Sequence, residues 1–163
     1  MSFLSDEVFK IIIENTPLFS IDLVILNEES EILTGLRKNP PAKNFWFLPG
    51  GRVRKGEALN DAFSRIASDE LGIVLDYSDA KFLGVYDHIW DDSIYGENVS
   101  THYINCPMLV EKKLTNFEFS LDQSQHKSSK WTSLGEFHKD PTIHPLSKLF
   151  IPKLHKINQV FNK

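Results

Sequence analysis

The segment from Gly51 to Ile73 constrains the fold of this chain more than any other part of the sequence. The aromatic run at residues 45–48 is typical of a short strand, which Pro49-Gly50-Gly51 ends. Apolar residues then recur at helical spacing over residues 58–71, and Gly72 is a typical helix stop. A glycine-rich loop with basic residues therefore leads from a strand into a helix. The free N–H groups at the start of such a helix favour the binding of phosphate.

The rest of the sequence predicts strands on both sides of this helix and further helices at both ends of the chain. Strands are predicted at residues 18–26, 31–36, 81–90 and 102–110, with a polar loop at 91–99 and a last strand beginning at Lys130. Helices are predicted between Ser5 and Pro17 and over residues 143–161. No repeat or linker divides the chain. We therefore predict a single domain over residues 1–163, with an α/β fold in which a mixed sheet and helices form a sandwich.

Composition and charge restrict the classes of function. The chain has 163 residues, of which 41% are hydrophobic and 25% charged, as in ordinary globular proteins. The single cysteine, Cys106, and a first segment unlike a signal peptide lead us to expect a cytoplasmic protein without a membrane span. Residues 37–65 contain seven basic and two acidic side chains, although the net charge is −4. This basic island favours a small polyanionic ligand over nucleic acid, although a solvated basic face would have the same composition.

The residues of this segment that carry chemistry have a fixed spacing: Gly51, Glu57, Arg65, Glu70, Gly72 and Ile73. Carboxylates near the end of the helix supply the oxygen ligands that Mg²⁺ prefers. An amphipathic helix with an ion pair between Arg65 and Asp69, four residues apart, would explain part of the same pattern. The Gly-Gly turn and the spacing favour the metal-binding interpretation.

In this register the segment resembles the Nudix box, Gly-x5-Glu-x7-Arg-Glu-aliphatic-x-Glu-Glu-x-Gly-aliphatic, of the Nudix hydrolases. Two positions depart from the box, because Ile66 and Asp69 stand where it has glutamates. Residues 66 and 70 lie one helical turn apart, so Ile66 removes a carboxylate from the face that would hold metal. The departure favours fewer metal ions, and a base from elsewhere in the chain, over attack on phosphorus with two ions.

The chain also resembles the GDP-mannose mannosyl hydrolases, a Nudix sub-family that cleaves the sugar–oxygen bond. The similarity extends beyond the box over most of the chain. The matching residues are Thr16-Pro17-Leu18, Asp22, Arg37, Trp46-Phe47, Pro49-Gly50-Gly51-Arg52-Val53, Ala62-Phe63, Glu70-Leu71-Gly72, Gly84-Val85, His88, Thr101-His102-Tyr103, Gln125-His126 and Trp131.

This resemblance implies a role for each matching residue. The carbonyl of Gly50 with the side chains of Glu70 and Gln125 would hold one Mg²⁺ per active site, with Mn²⁺ as an alternative. His126 would be the general base that deprotonates the attacking water. The groups expected to neutralise charge on the departing GDP are Arg37, Arg52, Tyr103 and Arg65, of which Arg37 and Arg52 also bind the substrate. The groups expected to contact the mannose or position the leaving group are Asp22 and His88. The groups expected to frame the guanine, across the interface of a homodimer, are Phe3, Leu4 and Phe9.

The predicted function is Mg²⁺-dependent hydrolysis of GDP-mannose, or of other GDP-hexoses, to GDP and free sugar. Water would attack the anomeric carbon with inversion. One alternative is a Nudix pyrophosphohydrolase that attacks phosphorus in a nucleoside diphosphate sugar, which Glu57 and Asp69 keep open. Another is a non-catalytic module that binds a nucleotide sugar. From its neighbours alone, His126 is also consistent with a solvated loop histidine.

Overall fold

Two sheets with helices packed against them make up the part of the chain that the computed structural model describes, residues 4–110 and 120–161. None of the helices in these ranges is both long enough and apolar enough to cross a bilayer. The elements in chain order are α1 (Asp6–Asn15), β1 (Leu18–Ile25), β2 (Glu31–Arg37), β3 (Trp46–Phe47), β4 (Gly50–Arg52), α2 (Leu59–Leu71), β5 (Ala80–Phe82), β6 (Tyr86–Trp90), β7 (Thr101–Val110), β8 (His126–Ser133), α3 (Leu134–Lys139) and α4 (Ile151–Phe161).

The larger sheet is mixed, as the sequence predicts. Its strand order is β4-β1-β7-β5, and β6 also pairs with β7. Strands β1 and β7 run parallel, whereas β4, β5 and β6 are antiparallel to their neighbours. The smaller sheet is antiparallel, with the order β3-β2-β8. The predicted α/β fold is therefore confirmed.

Helix α2 forms at the predicted place because its apolar residues share one face. The buried apolar side chains of this face are Ala62, Phe63, Ile66, Ala67 and Leu71. They pack in one cluster with β1 and β7 side chains that include Leu23, Ile25 and Met108. Gly72 ends the helix with a left-handed φ of +68°, which a residue without Cβ adopts readily.

The predicted strand over residues 81–90 is wrong as a single element. The structure has two strands there, β5 and β6, which pair with different parts of β7. The break lies around Gly84, whose φ of +131° is incompatible with a continuous strand. Gly50 and Gly51, predicted from the sequence as a turn that ends a strand, belong with Arg52 to a further strand, because β4 pairs with β1.

Two predicted boundaries near the end of the chain are also wrong. The last strand begins at His126 and not at Lys130, because its first residues pair with the end of β2. The predicted helix over residues 143–161 is divided into a 3₁₀ helix, Pro145–Lys148, and α4, which begins at Ile151. Helix α3 was not predicted from the sequence, because its six residues are too few to show a periodic pattern.

Ile66 and Val74 provide a test of the packing of α2, because the first is 1% exposed and the second 88%. We expect Ile66→Ala to lower the free energy of unfolding by about 2–5 kcal/mol, through lost contacts and a cavity. The matched change Val74→Ala should alter it by no more than about 0.5 kcal/mol. Urea unfolding followed by circular dichroism measures both values. Similar losses in the two variants would contradict the burial of Ile66.

Candidate active site

A cavity of about 200 Å³ is lined by residues of β1, β2, β4, β6 and β7. These strands come from most of the length of the chain, and the two sheets bring their polar residues together. Seven of the residues to which the resemblance assigns a role in the site line this cavity: Asp22, Arg37, Gly50, Arg52, His88, Tyr103 and Gln125.

The parallel pair β1 and β7 provides a polar wall of the cavity. Ser20 and Asp22 lie two residues apart on one face of β1, and Tyr103 and Asn105 lie on the same face of the sheet in β7. Asn105 Nδ2 donates a hydrogen bond of 2.9 Å to Ser20 Oγ. Burial raises the pKa of Asp22 to about 7, although a hydrogen bond from Asn105 and the charge of Arg37 oppose the shift. The Asp22 carboxyl is therefore partly protonated at neutral pH.

Asp22 and Gly50 approach each other closely across the β1–β4 pair. A Cβ on Gly50 would lie 2.4 Å from Asp22 Oδ1, so this position needs glycine for space. The N–H of Leu23 donates to the Pro49 carbonyl at 2.8 Å, which makes the adjacent Asp22–Gly50 pair a non-hydrogen-bonded one of the ladder. The Gly50 carbonyl therefore points away from β1, toward the open edge of the sheet.

Glu70 joins helix α2 to the segment before β8 through side-chain hydrogen bonds. It is buried, and its Oε1 accepts a hydrogen bond of 2.8 Å from Gln125 Nε2. Its Oε2 lies 3.2 Å from His126 Nε2. The oxygen of the Gln125 amide accepts a hydrogen bond of 2.8 Å from Arg37 Nη1. Glu70 and Gln125, the two side chains predicted to hold metal, are thus in direct contact.

Asp122 fixes the backbone that presents Gln125 and His126. Its carboxylate accepts hydrogen bonds of 2.8 Å from both the N–H and the hydroxyl of Ser124, a turn typical of aspartate. Its carbonyl accepts from the N–H groups of Gln125 and His126 at 3.1 and 2.9 Å. Its own N–H donates to the Glu70 carbonyl at 3.1 Å, so this turn is attached to the end of α2.

His126 is a buried strand residue, and its interpretation as a solvated loop histidine is wrong. It begins β8 opposite Arg37, and its side chain is only 1% exposed. The imidazole lies over Gly35, where an added Cβ would be 2.3 Å from His126 Nδ1. That Nδ1 atom has no hydrogen-bond partner among the described residues. The imidazole does not line the cavity of about 200 Å³, which it adjoins through Glu70 and Gln125.

Arg65 lies outside the cavity and supports the loop between β4 and α2. Its Nε and Nη2 donate to the two oxygens of Glu57 at 2.6 and 2.9 Å, a bidentate pair. These hydrogen bonds are the main reason that the pKa of Glu57 lies below its usual range. Arg65 Nη2 also donates to the Arg52 carbonyl at 2.9 Å. The predicted pair with Asp69 is confirmed at 3.2 Å.

Arg52 lies between the first cavity and a larger one of about 810 Å³, and lines both. Its guanidinium carbon lies 3.9 Å from the ring centroid of Phe9, a cation–π contact. Leu4 lines the larger cavity and is half exposed. Phe3, the third residue expected to frame guanine, lies outside the described residues.

Aromatic rings form a second wall of the small cavity, of which the sequence analysis named only His88 as a site residue. Phe47, His88 and Trp90 line it, and the Phe47 centroid lies 5.7 Å from that of Trp90 and 6.0 Å from that of His88. Burial lowers the pKa of His88 to about 4, so this imidazole is neutral at neutral pH. The alternation of His88 with Trp90 on β6, and of Tyr103 with Asn105 on β7, is the signal that could have identified Trp90 and Asn105.

Residues 16–154 match the family model described as NUDIX domain. This chain belongs to the Nudix family. It is 39% identical over 122 residues to the low-salt glycan biosynthesis protein Agl8 of Haloferax volcanii. The aligned residues make up 75% of this chain and 76% of that relative. The crystal structure of the MutT protein from Methanosarcina mazei Go1 has a TM-score of 0.70 at 20% identity, over 89% of this chain and 98% of that one. The MutT NUDIX hydrolase from Burkholderia pseudomallei has a TM-score of 0.68 at 26% identity, over 86% and 99% of the two chains. The protein is therefore a Nudix hydrolase of a nucleotide-linked substrate.

Nudix enzymes typically use a divalent metal ion such as Mg²⁺ or Mn²⁺, and the residues of this Nudix hydrolase fit such an ion. The buried carboxylate of Glu70 accepts a hydrogen bond from Gln125 Nε2, and Gln125 and Gly50 line the same cavity. Because the Gln125 oxygen accepts from Arg37, the amide would turn to present that oxygen to an ion beside Glu70. One carboxylate with two neutral carbonyl oxygens is a donor set that suits a hard cation. The described part of the chain contains no group of three or more His, Cys, Asp and Glu side chains that could hold a metal.

Gly35 provides a test of the position of His126, and Gly135 is its matched control. A Cβ at Gly35 would meet the His126 ring, whereas one at Gly135 meets nothing within 4 Å. We expect Gly35→Ala to displace the ring from Glu70 and to lower the free energy of unfolding by about 1–3 kcal/mol. Gly135→Ala in α3 should leave it unchanged or raise it by up to about 1 kcal/mol.

Urea unfolding measures both stabilities, and the imidazole resonances of His126 report the displacement. Unchanged His126 resonances in Gly35→Ala would show that the ring does not pack on Gly35.

Proposed function

We propose that this Nudix hydrolase cleaves GDP-mannose and related GDP-hexoses to GDP and the free sugar. A bond forms between the water oxygen and the anomeric carbon, and the bond from that carbon to the diphosphate oxygen breaks with its electrons leaving on GDP. The observation that carries the proposal is the position of Ile66, which is buried in the core where the Nudix box has a carboxylate. Glu70 is left with an amide and an imidazole as its partners.

The other acids of the box support this choice over attack on phosphorus. Both oxygens of Glu57 accept hydrogen bonds from Arg65. Asp69, with a side chain 54% exposed, pairs with Arg65 at 3.2 Å and with Arg54 at 3.9 Å. Both carboxylates are therefore engaged by arginines, which disfavours them as ligands for a second ion. A single bound Mg²⁺ would supply Lewis-acid stabilisation of the departing diphosphate.

Arg37, Arg52 and Tyr103 are the groups that would stabilise charge on the diphosphate. All three line the small cavity, where burial strengthens their electrostatic effect. A guanidinium binds phosphate oxygens bidentately, which holds the leaving group in one orientation. A diphosphate stabilised in this way leaves without a general acid, unlike the leaving alcohol of an ordinary glycosidase.

His126 would accept the proton of the attacking water. Its Nε2 is held by Glu70 at 3.2 Å, and its Nδ1 has no partner among the described residues. The ring must move away from Glu70, or offer its other nitrogen, before it reaches a water in the cavity. His126 is therefore proposed as a base that reorients when substrate binds.

Asp22 and His88 would contact the sugar. Asp22 lines the cavity, and its Oδ2 is a buried acceptor without a hydrogen-bond partner in the described residues, so the carboxyl is suited to a hydroxyl of the sugar. His88 is neutral, so it donates or accepts a hydrogen bond without adding charge. The nucleoside would lie on the other side of Arg52, in the larger cavity near Leu4 and Phe9, with a second subunit of a homodimer completing the guanine site.

The name of the relative from Haloferax volcanii, a glycan biosynthesis protein, supports a nucleotide sugar as the substrate class. Sugars enter glycans from activated donors in which a diphosphate leaves the anomeric carbon. An enzyme that hydrolyses such a donor at the same carbon uses the same leaving group.

Incubation in oxygen-18 water tests the site of attack. We expect GDP and mannose as products, with the label in mannose and none in GDP, because water adds to carbon. Prompt NMR detection should show the β anomer first, as single displacement on an α-linked donor requires. GMP with label in a phosphate oxygen would establish a pyrophosphohydrolase instead. Absence of turnover with every GDP-hexose and divalent ion would favour a binding module.

Glu70→Gln and the neighbouring change Asp69→Asn form a matched pair that tests the metal ligands. An amide is a weak ligand for a hard cation, so Glu70→Gln should lower kcat by about a thousandfold, the equivalent of several kcal/mol. Asp69→Asn removes an exposed ion pair and should lower kcat by less than about tenfold. Steady-state rates against Mg²⁺ concentration measure both effects. An active Glu70→Gln with an inactive Asp69→Asn would reverse the assignment.

A further inference from the structure

The small cavity has two chemically different walls. Asp22, Tyr103 and Asn105 provide polar groups on β1 and β7, whereas Phe47 and Trp90 provide aromatic surface on β3 and β6. The proposed function already places the hexose in this cavity, at Asp22 and His88. We infer that Trp90 is a further specificity-determining residue, against which the hexose ring stacks. The inference rests on the proposed function, because it assigns one part of a GDP-hexose to this cavity.

The sizes of the two cavities support this division of the substrate. The small cavity, at about 200 Å³, is below the range of about 300–1,000 Å³ that is usual for ligands of drug size. It therefore suits a single sugar ring and excludes a whole nucleotide sugar. Arg52 lies at the boundary with the cavity of about 810 Å³. A diphosphate at Arg52 would join a sugar on one side to a nucleoside on the other.

A pyranose ring matches the two walls. Its hydroxyls donate and accept hydrogen bonds, and the unpartnered Oδ2 of Asp22 is an acceptor suited to one of them. Its C–H groups carry partial positive charge and favour the negative face of an aromatic ring. A ligand with polar groups on one side and C–H groups on another satisfies both walls. A second phosphate in this place would leave the aromatic wall without a complementary surface.

The indole of Trp90 is held firmly enough to act as a platform. It is 8% exposed, and the ring of His144 lies against it with a centroid distance of 4.5 Å and an angle of 34°. His144 is itself fixed, since its Nδ1 accepts a hydrogen bond of 3.3 Å from the Leu146 N–H. Phe47 supports the indole at 5.7 Å. A rigid surface of this kind binds without loss of side-chain freedom.

Kinetics of Trp90→Leu, with Trp90→Phe as the conservative variant, test the inference. Loss of stacking in Trp90→Leu should raise KM for GDP-mannose about tenfold while kcat changes by less than about threefold, as expected for binding that ground and transition states share. The inhibition constant of GDP, which lacks the hexose, should stay within about twofold of wild type. Trp90→Phe keeps an aromatic face and should restore most of the KM.

A measurement on the unsubstituted chain guards against a Trp90→Leu variant that fails to fold. The chain contains three tryptophans, so labelling with 5-fluorotryptophan gives three fluorine resonances, and Trp90→Phe identifies the one from Trp90. With a chelator to prevent turnover, saturating GDP-mannose should shift this resonance, and saturating GDP should leave it nearly unchanged. Trp131, which packs in the core cluster around α2, is the internal control.

The outcomes distinguish this inference from the function on which it rests. If the wild-type enzyme does not form GDP and mannose, both the proposed function and the stacking of the hexose on Trp90 are refuted. If it turns over GDP-mannose but the Trp90 resonance does not shift, or KM is unchanged in Trp90→Leu, only the stacking on Trp90 is refuted. An equal rise of KM for GDP-mannose and of the inhibition constant for GDP also refutes it, because the loss would then be general.

Discussion

The close approach of helix α2 to strand β4 is the constraint on which the candidate site depends. Gly51 faces Ile66, and a Cβ on Gly51 would lie 3.1 Å from Ile66 Cγ1. Ile66 and Glu70 lie one turn apart on the helix, so this contact also sets the distance of the Glu70 carboxylate from β4. A larger residue at position 51 would move α2 outward. Glu70 would then lose its position beside Gln125 and its distance from Gly50, the other two groups proposed to hold the metal ion.

Local spacing is sufficient to predict helix α2, its end at Gly72 and the pair between Arg65 and Asp69. These features depend on residues within one or two turns, whose distances the helix geometry determines. The meeting of Glu70 with Gln125 is different, because it depends on the register in which β8 pairs with β2. Nothing in the sequence pattern states that register. The sequence predicted this contact only through resemblance to a family.

The burial of His126 and the aromatic wall show what neither spacing nor resemblance provides. His126 is buried because Gly35, far away in sequence, has no side chain where the imidazole lies. Its neighbours Gln125 and Lys127 are polar, so the local pattern predicted exposure. Trp90 was placed correctly within a predicted strand, but its partner His144 comes from a 3₁₀ turn near the other end of the chain. Contacts of this kind follow from tertiary packing, and a periodic pattern does not contain them.

The charges of the small cavity bear on which end of the proposed nucleotide sugar would bind there. Arg37 and Arg52 are its fixed cations, whereas His88 is kept neutral by burial, with a pKa of about 4. Asp22, with a pKa of about 7, exchanges a proton near neutral pH and so offers either a donor or an acceptor. The arginines would bind a diphosphate, and the neutral groups would suit the hydroxyls of a sugar. The proposed attack at carbon needs both kinds of group in one cavity, because the bond that breaks joins the sugar to the diphosphate.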